Sequence, residues 1–191
     1  MKQLLFSRII LTMKPVVDDQ VYLEQVVKLN QIDTRWFLPF LIYRFKEHTD
    51  QQVIQFQVTL QGISQQTSKQ RILSLHWQKE SETLASPPIQ TSVITEWAAY
   101  GMACVVIPFY TGLPIAQVTQ IGERFDFWVR KDLEKFGLEV SGTLEGNLEQ
   151  RQRVKQRQLL RNPNQVGGYV SVTSFRERHT ILSFHRSKDI P

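Results

Sequence analysis

The chain has 191 residues, of which 41% are apolar and 21% are charged, and its net charge is +5. Its single cysteine, Cys104, excludes an intrachain disulfide and gives no sign of an oxidising compartment. No stretch reaches the roughly 18 to 20 uninterrupted apolar residues of a membrane-spanning helix. The sequence therefore predicts a globular, cytoplasmic protein without a membrane partner.

The N-terminal segments predict a small lobe of a helix and antiparallel strands. The opening MKQLLFSRIILTM is interrupted by Arg8 and lacks a cleavage site, so it favours a strand or ordered arm over a signal peptide. Residues 18–30 have two acidic residues ahead of recurring apolar ones, which predicts a short helix. Residues 35–45 are aromatic and branched and include Pro39, which favours an edge strand or a broken strand.

A hairpin and a domain boundary follow. Apolar residues alternate with polar ones over 53–61 and again over 71–77, as in two half-buried strands joined by a polar loop. The polar segment 79–90 then carries two consecutive prolines, which block regular structure. We therefore place an N-terminal α+β lobe at residues 1–82 and a second domain at residues 90–187.

The second domain begins with a long apolar helix. Its pattern starts near Thr91 or Ser92 and is expected to stop around Pro108. Strand patterns follow, then a basic helix, then two late strands. The expected bounds are 115–121, 124–129 and 137–142 for the first three strands, 149–161 for the helix, and 167–175 and 179–185 for the last strands.

Two carboxylates interrupt neighbouring predicted strands of this domain. Side chains alternate across a strand, so the side chains of Asp126 and Phe127 point to opposite faces of the sheet. The same holds for Glu139 and Leu138. If the strands pair antiparallel with their apolar faces aligned, Asp126 and Glu139 share the other face. Two close carboxylates repel each other, which raises the pKa of one or requires a cation between them. Mg²⁺ is the simplest such ion, because it prefers oxygen and commonly takes one or two carboxylates with waters and phosphate oxygens.

The segment EQRQRVKQRQLLR, residues 149–161, predicts a helix too polar to be buried along its length. It is either a solvated helix with one thin apolar edge or a basic wall beside a binding groove. In the second case arginines hold a nucleic-acid backbone, since basic side chains attract phosphate and release its counterions. The candidate contacts are Arg151, Arg153 and Arg157. An acidic protein partner is the alternative.

These features resemble the PD-(D/E)XK nuclease superfamily. Its pattern is a helix with a glutamate, three strands carrying an aspartate and then glutamate-x-lysine, and a helix rich in basic residues and glutamine. Over residues 91–185 the matching positions are Glu96 in ITEWAAYG, Asp126 in GERFDFW and Glu139 in LEVSG. The resemblance implies an α+β or mixed α/β chain with an α-β-β-β-α-β core. It also implies Mg²⁺ or Mn²⁺ at Asp126 and Glu139, with Glu96 as an outer or second-metal ligand.

One position departs from the family pattern. The lysine that orients the attacking water should follow the glutamate by two residues, and Ser141 stands there instead. A hydroxyl cannot stabilise developing phosphoryl charge as an ammonium does. Lys155 of the following helix is the candidate replacement, with Gln152 or Gln158 as polar helpers. The two functional hypotheses are therefore a metal-dependent nuclease acting on DNA or RNA, and a catalytically inactive binding or assembly module.

Each candidate residue also has a purely structural interpretation. Glu96 near a helix start can simply favour the positive end of the helix dipole. Asp126 and Glu139 can be separate solvated positions on an exposed sheet face. Cys104, among apolar neighbours, is expected to be a core thiol rather than a nucleophile. The four histidines show no metal-ligand spacing, so surface or packing roles are expected for them.

Overall fold

The computed structural model describes residues 18–63, 68–78 and 89–187. The opening segment and most of the expected boundary at 79–90 lie outside these residues. Within them the chain forms β1 (Asp18–Tyr22), α1 (Leu23–Leu29), a 3₁₀ turn (Thr34–Trp36), α2 (Leu38–Lys46), β2 (Val53–Gln61), β3 (Ser68–His76), α3 (Thr91–Thr111), β4 (Ile115–Val118), β5 (Phe127–Lys131), β6 (Glu134–Thr143), α4 (Leu148–Leu160), β7 (Gly168–Ser174) and β8 (His179–His185).

All eight described strands belong to one mixed sheet, in the order β1-β3-β2-β8-β7-β6-β5-β4. The predicted hairpin is confirmed: β2 and β3 pair antiparallel, with Phe56 opposite Leu73. β2 also pairs in parallel with β8, so the hairpin extends the sheet that the C-terminal strands form. The mixed α and β class expected from the sequence is thereby confirmed.

One N-terminal prediction was correct only in part, and a second was wrong. The expected helix at 18–30 is divided, because residues 18–22 form β1 alongside β3 and the helix begins only at Leu23. The expected strand at 35–45 is instead the 3₁₀ turn followed by α2. Pro39 lies in the first turn of α2, where its missing N–H is not needed. The residues that α2 buries recur at helical spacing: Leu38, Leu41, Ile42 and Phe45.

Helix α3 begins where the sequence indicated but continues beyond Pro108 to Thr111. A proline inside a helix leaves the carbonyl four residues earlier without its donor. Here that carbonyl belongs to Cys104, and the side-chain amide of Asn30 donates to it at 2.9 Å. This distant partner explains why the expected stop at Pro108 was wrong.

The position of α3 is that of a core helix. It is the one described helix long and apolar enough to cross a membrane, but most of it is buried within the protein. It packs closely on β6, because a Cβ on Gly142 would lie 2.5 Å from the carbonyl oxygen of Thr95. Only glycine permits that approach, which brings the first turns of α3 beside the last residues of β6.

Helix α4 covers the opposite face of the sheet. Asn147 caps it by accepting a hydrogen bond from the backbone N–H of Gln150 at 2.7 Å. The apolar residues of this layer form a cluster separate from the main core: Phe125, Leu148, Leu159, Val170, Val172 and Ile181. The C-terminal elements follow in the order α3-β4-β5-β6-α4-β7-β8, and β6 and β7 are parallel because α4 crosses between them.

Candidate functional site

The candidate site lies where β5 separates from β6. The two strands pair antiparallel as far as Phe127 opposite Leu138, and the backbone N–H of Asp126 donates to the carbonyl of Leu138 at 2.9 Å. β6 continues to Thr143, so its last residues extend beyond the end of β5. Helices α3 and α4, on opposite faces of the sheet, both reach this part of β6.

A pocket of about 590 Å³ occupies this position. It combines the first turns of α3, the last part of β6 with the residues after it, and one side of α4. Its lining residues are Thr91, Ser92, Thr95, Glu96, Val140, Ser141, Gly142, Thr143, Leu144, Glu145, Arg151 and Lys155. The pocket therefore collects acidic, basic and hydroxyl side chains from three elements.

Glu139 is a carboxylate buried inside the fold, with a side-chain exposure of 0%. Its Oε1 accepts a hydrogen bond from the Lys155 ammonium, and within the described part of the chain its Oε2 has no hydrogen-bond partner. Burial raises the pKa of Glu139 to about 7, the nearby charge of Asp126 adds to this rise, and Lys155 opposes it. The alternative of a solvated surface position is wrong for Glu139.

The Asp126 carboxylate accepts a backbone hydrogen bond from β6 just before β5 begins. Its Oδ2 accepts from the backbone N–H of Val140 at 2.8 Å, so the carboxylate supplies an acceptor just where β5 leaves the sheet. Burial raises the pKa of Asp126, and the hydrogen bond from Val140 and the charge of Lys155 oppose that rise. The carboxylate is thus held by the backbone of the strand that carries Glu139.

A tyrosine that the sequence analysis did not select connects the acidic residues. The Tyr100 hydroxyl lies 2.9 Å from Oε1 of Glu96 and 3.3 Å from Oδ1 of Asp126. Burial and the charge of Asp126 raise the pKa of Tyr100, so its hydroxyl stays protonated and can donate. Its spacing of four residues from Glu96 on one helix face is the signal that could have identified it.

The faces of the two carboxylates differ from the simplest expectation. The strand expected at 124–129 begins only at Phe127, so Asp126 lies just before β5; continuing the register by one step would place it opposite Glu139 on a shared face. Yet Asp126 is bonded toward Tyr100 of α3, whereas Glu139 is bonded toward Lys155 of α4. The carboxylates are neighbours held by helices on opposite sides of the sheet.

The basic residues of α4 divide among different surfaces. Lys155 and Arg151 are four residues apart and both line the pocket, where Arg151 Nη1 donates to the Ser141 hydroxyl at 3.0 Å. Arg157 lines a second pocket beside it. Arg153 is exposed and lines neither pocket; at about 100° per residue it lies about 200° around α4 from Arg151.

The two glutamines proposed as helpers have different positions. Gln158 Oε1 lies 3.4 Å from the Lys155 ammonium, next to the candidate site. Gln152 is buried and donates to the Ser183 hydroxyl at 3.0 Å, so it belongs to the contact of α4 with the sheet. A helper role for Gln152 was therefore wrong, because its side chain faces inward.

The described residues contain neither an exposed thiol nor a group of three metal-ligand side chains. Cys104 is fully buried and burial raises its pKa, so the expectation of a core thiol is confirmed. Among the described residues no three His, Cys, Asp or Glu side chains are grouped closely enough to hold a metal ion. Asp126 and Glu139 remain as a pair of carboxylates, with Glu96 linked to them through Tyr100.

No protein-family model, curated protein or solved structure matches the chain.

Proposed function

We propose that the protein is a metal-dependent nuclease that hydrolyses phosphodiester bonds in DNA or RNA. The observation that carries this proposal is Glu139, a fully buried carboxylate with one oxygen free among the described residues, beside Asp126 and paired with Lys155. Burying an ionisable carboxylate is costly, and such perturbed groups concentrate at functional sites. The pocket beside it is open to a substrate.

The spatial order of the elements supports the resemblance to PD-(D/E)XK nucleases. Glu96 lies on the helix before the three strands, Asp126 directly before β5, Glu139 on β6, and Lys155 on the helix that follows. The pocket brings Glu96 of α3 and Lys155 of α4 together at the end of β6 that carries Ser141. This order supports the proposal, although the lysine is displaced to α4 and the carboxylates of Asp126 and Glu139 are bonded toward opposite faces of the sheet.

Asp126 and Glu139 fit Mg²⁺ or Mn²⁺ by their chemistry. Both are oxygen donors near one another, both have a raised pKa because of burial, and Glu139 has a free oxygen among the described residues. Mg²⁺ commonly needs only one or two carboxylates and completes its shell with waters and phosphate oxygens. When bound, the ion supplies neutralisation of phosphate charge and a lower pKa for water.

The other residues have roles that follow from their contacts. In the hydrolysis a water oxygen adds to phosphorus, the bond from phosphorus to the leaving oxygen breaks, and that oxygen gains a proton. Lys155 places an ammonium beside Glu139, where it can stabilise the negative charge that develops on the phosphoryl oxygens. Tyr100 is a positioning residue that orients Asp126 and Glu96. Arg151 stands at the pocket wall, where it can hold a phosphate of the backbone.

The substrate follows from the charge of α4. Arg151 lines the candidate-site pocket and Arg157 lines the second pocket of this helix, and a surface lined by such residues suits the phosphates of a nucleic acid. We place the activity in the cytoplasm. This location accords with the buried, unpaired Cys104.

The second candidate is an inactive binding or assembly module. The observation that favours it is Ser141, which fills the family's lysine position and accepts a hydrogen bond from Arg151. Such a module keeps the basic surface and binds nucleic acid, or an acidic protein partner, without cleavage. Wild-type activity separates it from the nuclease.

The test is cleavage and metal binding by the purified protein. We expect the wild type to cut single- or double-stranded DNA or RNA with Mg²⁺ or Mn²⁺, and Asp126→Ala and Glu139→Gln to lose both cleavage and Mn²⁺ binding measured by calorimetry. Glu134→Gln is the matched control, because this carboxylate is on the same strand as Glu139 but is exposed, at the opposite end of β6 from the pocket. A wild type inert on every substrate would leave the inactive module, and cleavage by Asp126→Ala would mean that the site is misplaced.

A further inference from the structure

A second pocket, of about 350 Å³, lies along α4 next to the candidate site. It is lined by Arg124, Val154, Arg157, Gln158 and Arg161. Gln158 belongs to this pocket and also lies 3.4 Å from the Lys155 ammonium, which lines the first pocket. The two pockets are therefore neighbours, joined by this pair of side chains.

The second pocket concentrates positive charge without compensation. Its three arginines are exposed, and none of them forms an ion pair with another residue of the described chain. The arginines come from two separate segments, because Arg124 precedes β5 whereas the other two lie on and at the end of α4. Like charges brought together in this way repel each other unless an anion joins them.

Glu123, the acidic residue next to Arg124 in the sequence, accepts hydrogen bonds from groups other than the three arginines. The Glu123 carboxylate accepts from the backbone N–H of Gln120 at 2.7 Å, from Trp128 Nε1 at 3.2 Å and from Asn164 Nδ2 at 3.3 Å. These bonds tie the loop before β5 to the segment after α4. They hold the backbone next to Arg124 beside the segment that follows α4, and none of them involves the Arg124 guanidinium.

The backbone of Arg124 is strained. Its φ is +63°, in the left-handed region that costs a residue with a side chain free energy and that glycine adopts freely. Such residues persist where the surroundings hold them, and they concentrate at ligand clamps. An arginine in this conformation turns its side chain toward α4 at the expense of local stability.

We infer that the pocket of Arg124, Arg157 and Arg161 binds a backbone phosphate of the nucleic acid whose cleavage we propose for the neighbouring site. Guanidinium groups suit phosphate because they donate paired hydrogen bonds to its oxygens. Lys155 and Arg161 are six residues apart, about 9 Å along the helix axis. At about 3.4 Å per nucleotide step this is two to three steps from the cleavage site. The inference rests on the proposed function and adds a substrate contact to it.

The test measures binding without cleavage. Fluorescence anisotropy with labelled 20-nucleotide single-stranded DNA, single-stranded RNA and a 20-base-pair DNA duplex is recorded in EDTA between 50 and 200 mM salt. The variants are Arg124→Gly, Arg161→Ala and the double variant. Arg130→Ala is the matched control, because this exposed arginine on β5 lies outside both pockets. Thermal unfolding of every variant is measured in parallel.

The expected result is a flatter salt dependence. Each lost phosphate contact should lower the slope of log affinity against log salt by about 0.7 to 0.9, which is about a threefold smaller loss of affinity over a fourfold rise in salt. Arg124→Gly should show this with an unchanged or higher melting temperature, because glycine relieves the backbone strain. Arg130→Ala should retain the wild-type slope. The three probes show which nucleic acid the pocket accepts.

Two outcomes would overturn the inference in distinguishable ways. If the wild type binds nucleic acid but Arg124→Gly and Arg161→Ala keep its slope, the phosphate pocket is refuted and the proposed nuclease remains. If the wild type binds none of the three probes, the proposed function fails and the pocket fails with it. Arg161→Ala keeps the experiment decisive should Arg124→Gly unfold, since Arg161 is exposed at the end of α4.

Discussion

Lys155 of α4 forms an ion pair with Glu139 of β6, and Glu139 is fully buried whereas the lysine side chain is 23% exposed. The two residues lie sixteen positions apart in the chain. A buried carboxylate with a single cationic partner is expensive to maintain unless the arrangement serves a purpose. The pair therefore gives the displaced lysine of the proposed nuclease a definite place beside the pocket.

Lys155→Ala should abolish cleavage and leave Mn²⁺ affinity largely intact. The ammonium acts on the charge of the phosphoryl group and is not a metal ligand, so a rate loss of at least about a hundredfold is expected. Cleavage rates and Mn²⁺ calorimetry on the same preparation check this. Lys135→Ala, which removes an exposed lysine of β6 outside the pocket, is the control. Cleavage that survives Lys155→Ala would refute the displaced-lysine mechanism.

Placing a positive charge at position 141 of β6 should restore part of the cleavage activity that Lys155→Ala removes. Glu139 and Ser141 lie two residues apart on β6 and project to the same face, so a lysine at 141 can bring an ammonium to the same carboxylate. We expect Ser141→Lys to recover some cleavage in Lys155→Ala protein. Recovery should be incomplete because Arg151 contacts the Ser141 hydroxyl and would repel the new charge. Ser141→Met in that background, similar in length but uncharged, should recover nothing.

The same substitution examines the inactive-module hypothesis. If the wild type cleaves nothing, Ser141→Lys alone should restore activity in a chain that lacks only this charge. Cleavage assays on single- and double-stranded DNA and RNA measure it. Failure of Ser141→Lys in an inert but folded protein would show that more than the lysine has been lost.

Tyr100→Phe should weaken metal binding more than it weakens the fold. The substitution removes the hydroxyl that Glu96 and Asp126 share but keeps the ring, which packs at 5.1 Å from Phe127. Loss of such an orienting contact typically lowers metal affinity or activity by about 10- to 100-fold. The lost hydrogen bonds should cost about 1 kcal/mol of unfolding free energy. Mn²⁺ calorimetry and thermal unfolding measure the two effects.

Tyr110→Phe is the control for this prediction. It also removes a hydroxyl bonded to a carboxylate, that of Asp19 at 3.1 Å, but Asp19 lies on β1, which four strands of the sheet separate from β6. It should affect stability without changing Mn²⁺ affinity. Equal losses of metal affinity in both variants would contradict the positioning role of Tyr100.

Arg151→Ala should flatten the salt dependence of nucleic-acid binding more than Arg153→Ala. Arg151 lines the pocket, whereas Arg153 lies on a different side of the same helix. Removal of a phosphate contact lowers the slope of log affinity against log salt by about 0.7 to 0.9. Anisotropy titrations at several salt concentrations compare the two variants. Equal effects would indicate attraction by the net charge of α4 rather than contact at the pocket.

Glu139 should make the metal-free protein less stable as pH rises from about 4.5 to about 7. Its pKa is raised from 4.5 to about 7 by burial, so in this window the folded state keeps a proton that the unfolded state has released. This contribution is complete below the unfolded pKa and is lost as pH passes the folded pKa. At about 1.4 kcal/mol per pKa unit the loss is on the order of 3 kcal/mol.

Denaturant unfolding in EDTA at several pH values measures this dependence. The difference between wild type and Glu139→Gln isolates the residue, because other titrating groups contribute to both proteins. The raised pKa of Asp126 should leave a dependence of the same sign in the variant. A pH profile of wild type that parallels that of Glu139→Gln would contradict the burial of an ionisable group at this position.

Local patterns in the sequence predicted the elements that carry the site. Alternation over 53–61 identified β2, and the polar run at 149–161 located α4 to within one residue at each end. The strand pattern put Asp126 beside β6, although the expectation that it shares a face with Glu139 was wrong, and the search for a substitute cation selected Lys155. The bounds of β2 and α4 depend on residues a few positions apart, which one strand or a few helix turns can arrange without distant partners.

Tertiary structure decided what depended on distant residues. An aromatic run with a proline suits a strand or a helix start, and α2 formed because burial of its apolar stripe favoured the helix. Pro108 can lie inside α3 because the side-chain amide of Asn30 donates a hydrogen bond to the carbonyl of Cys104. These two residues are 74 positions apart in the chain. Tyr100 belongs to the site because its hydroxyl contacts Asp126. Gln152 lies outside it because its side chain is bonded to Ser183 of β8. The sequence determines residue types and local periodicity, but the partner of a side chain is set by free energy summed over the packed fold.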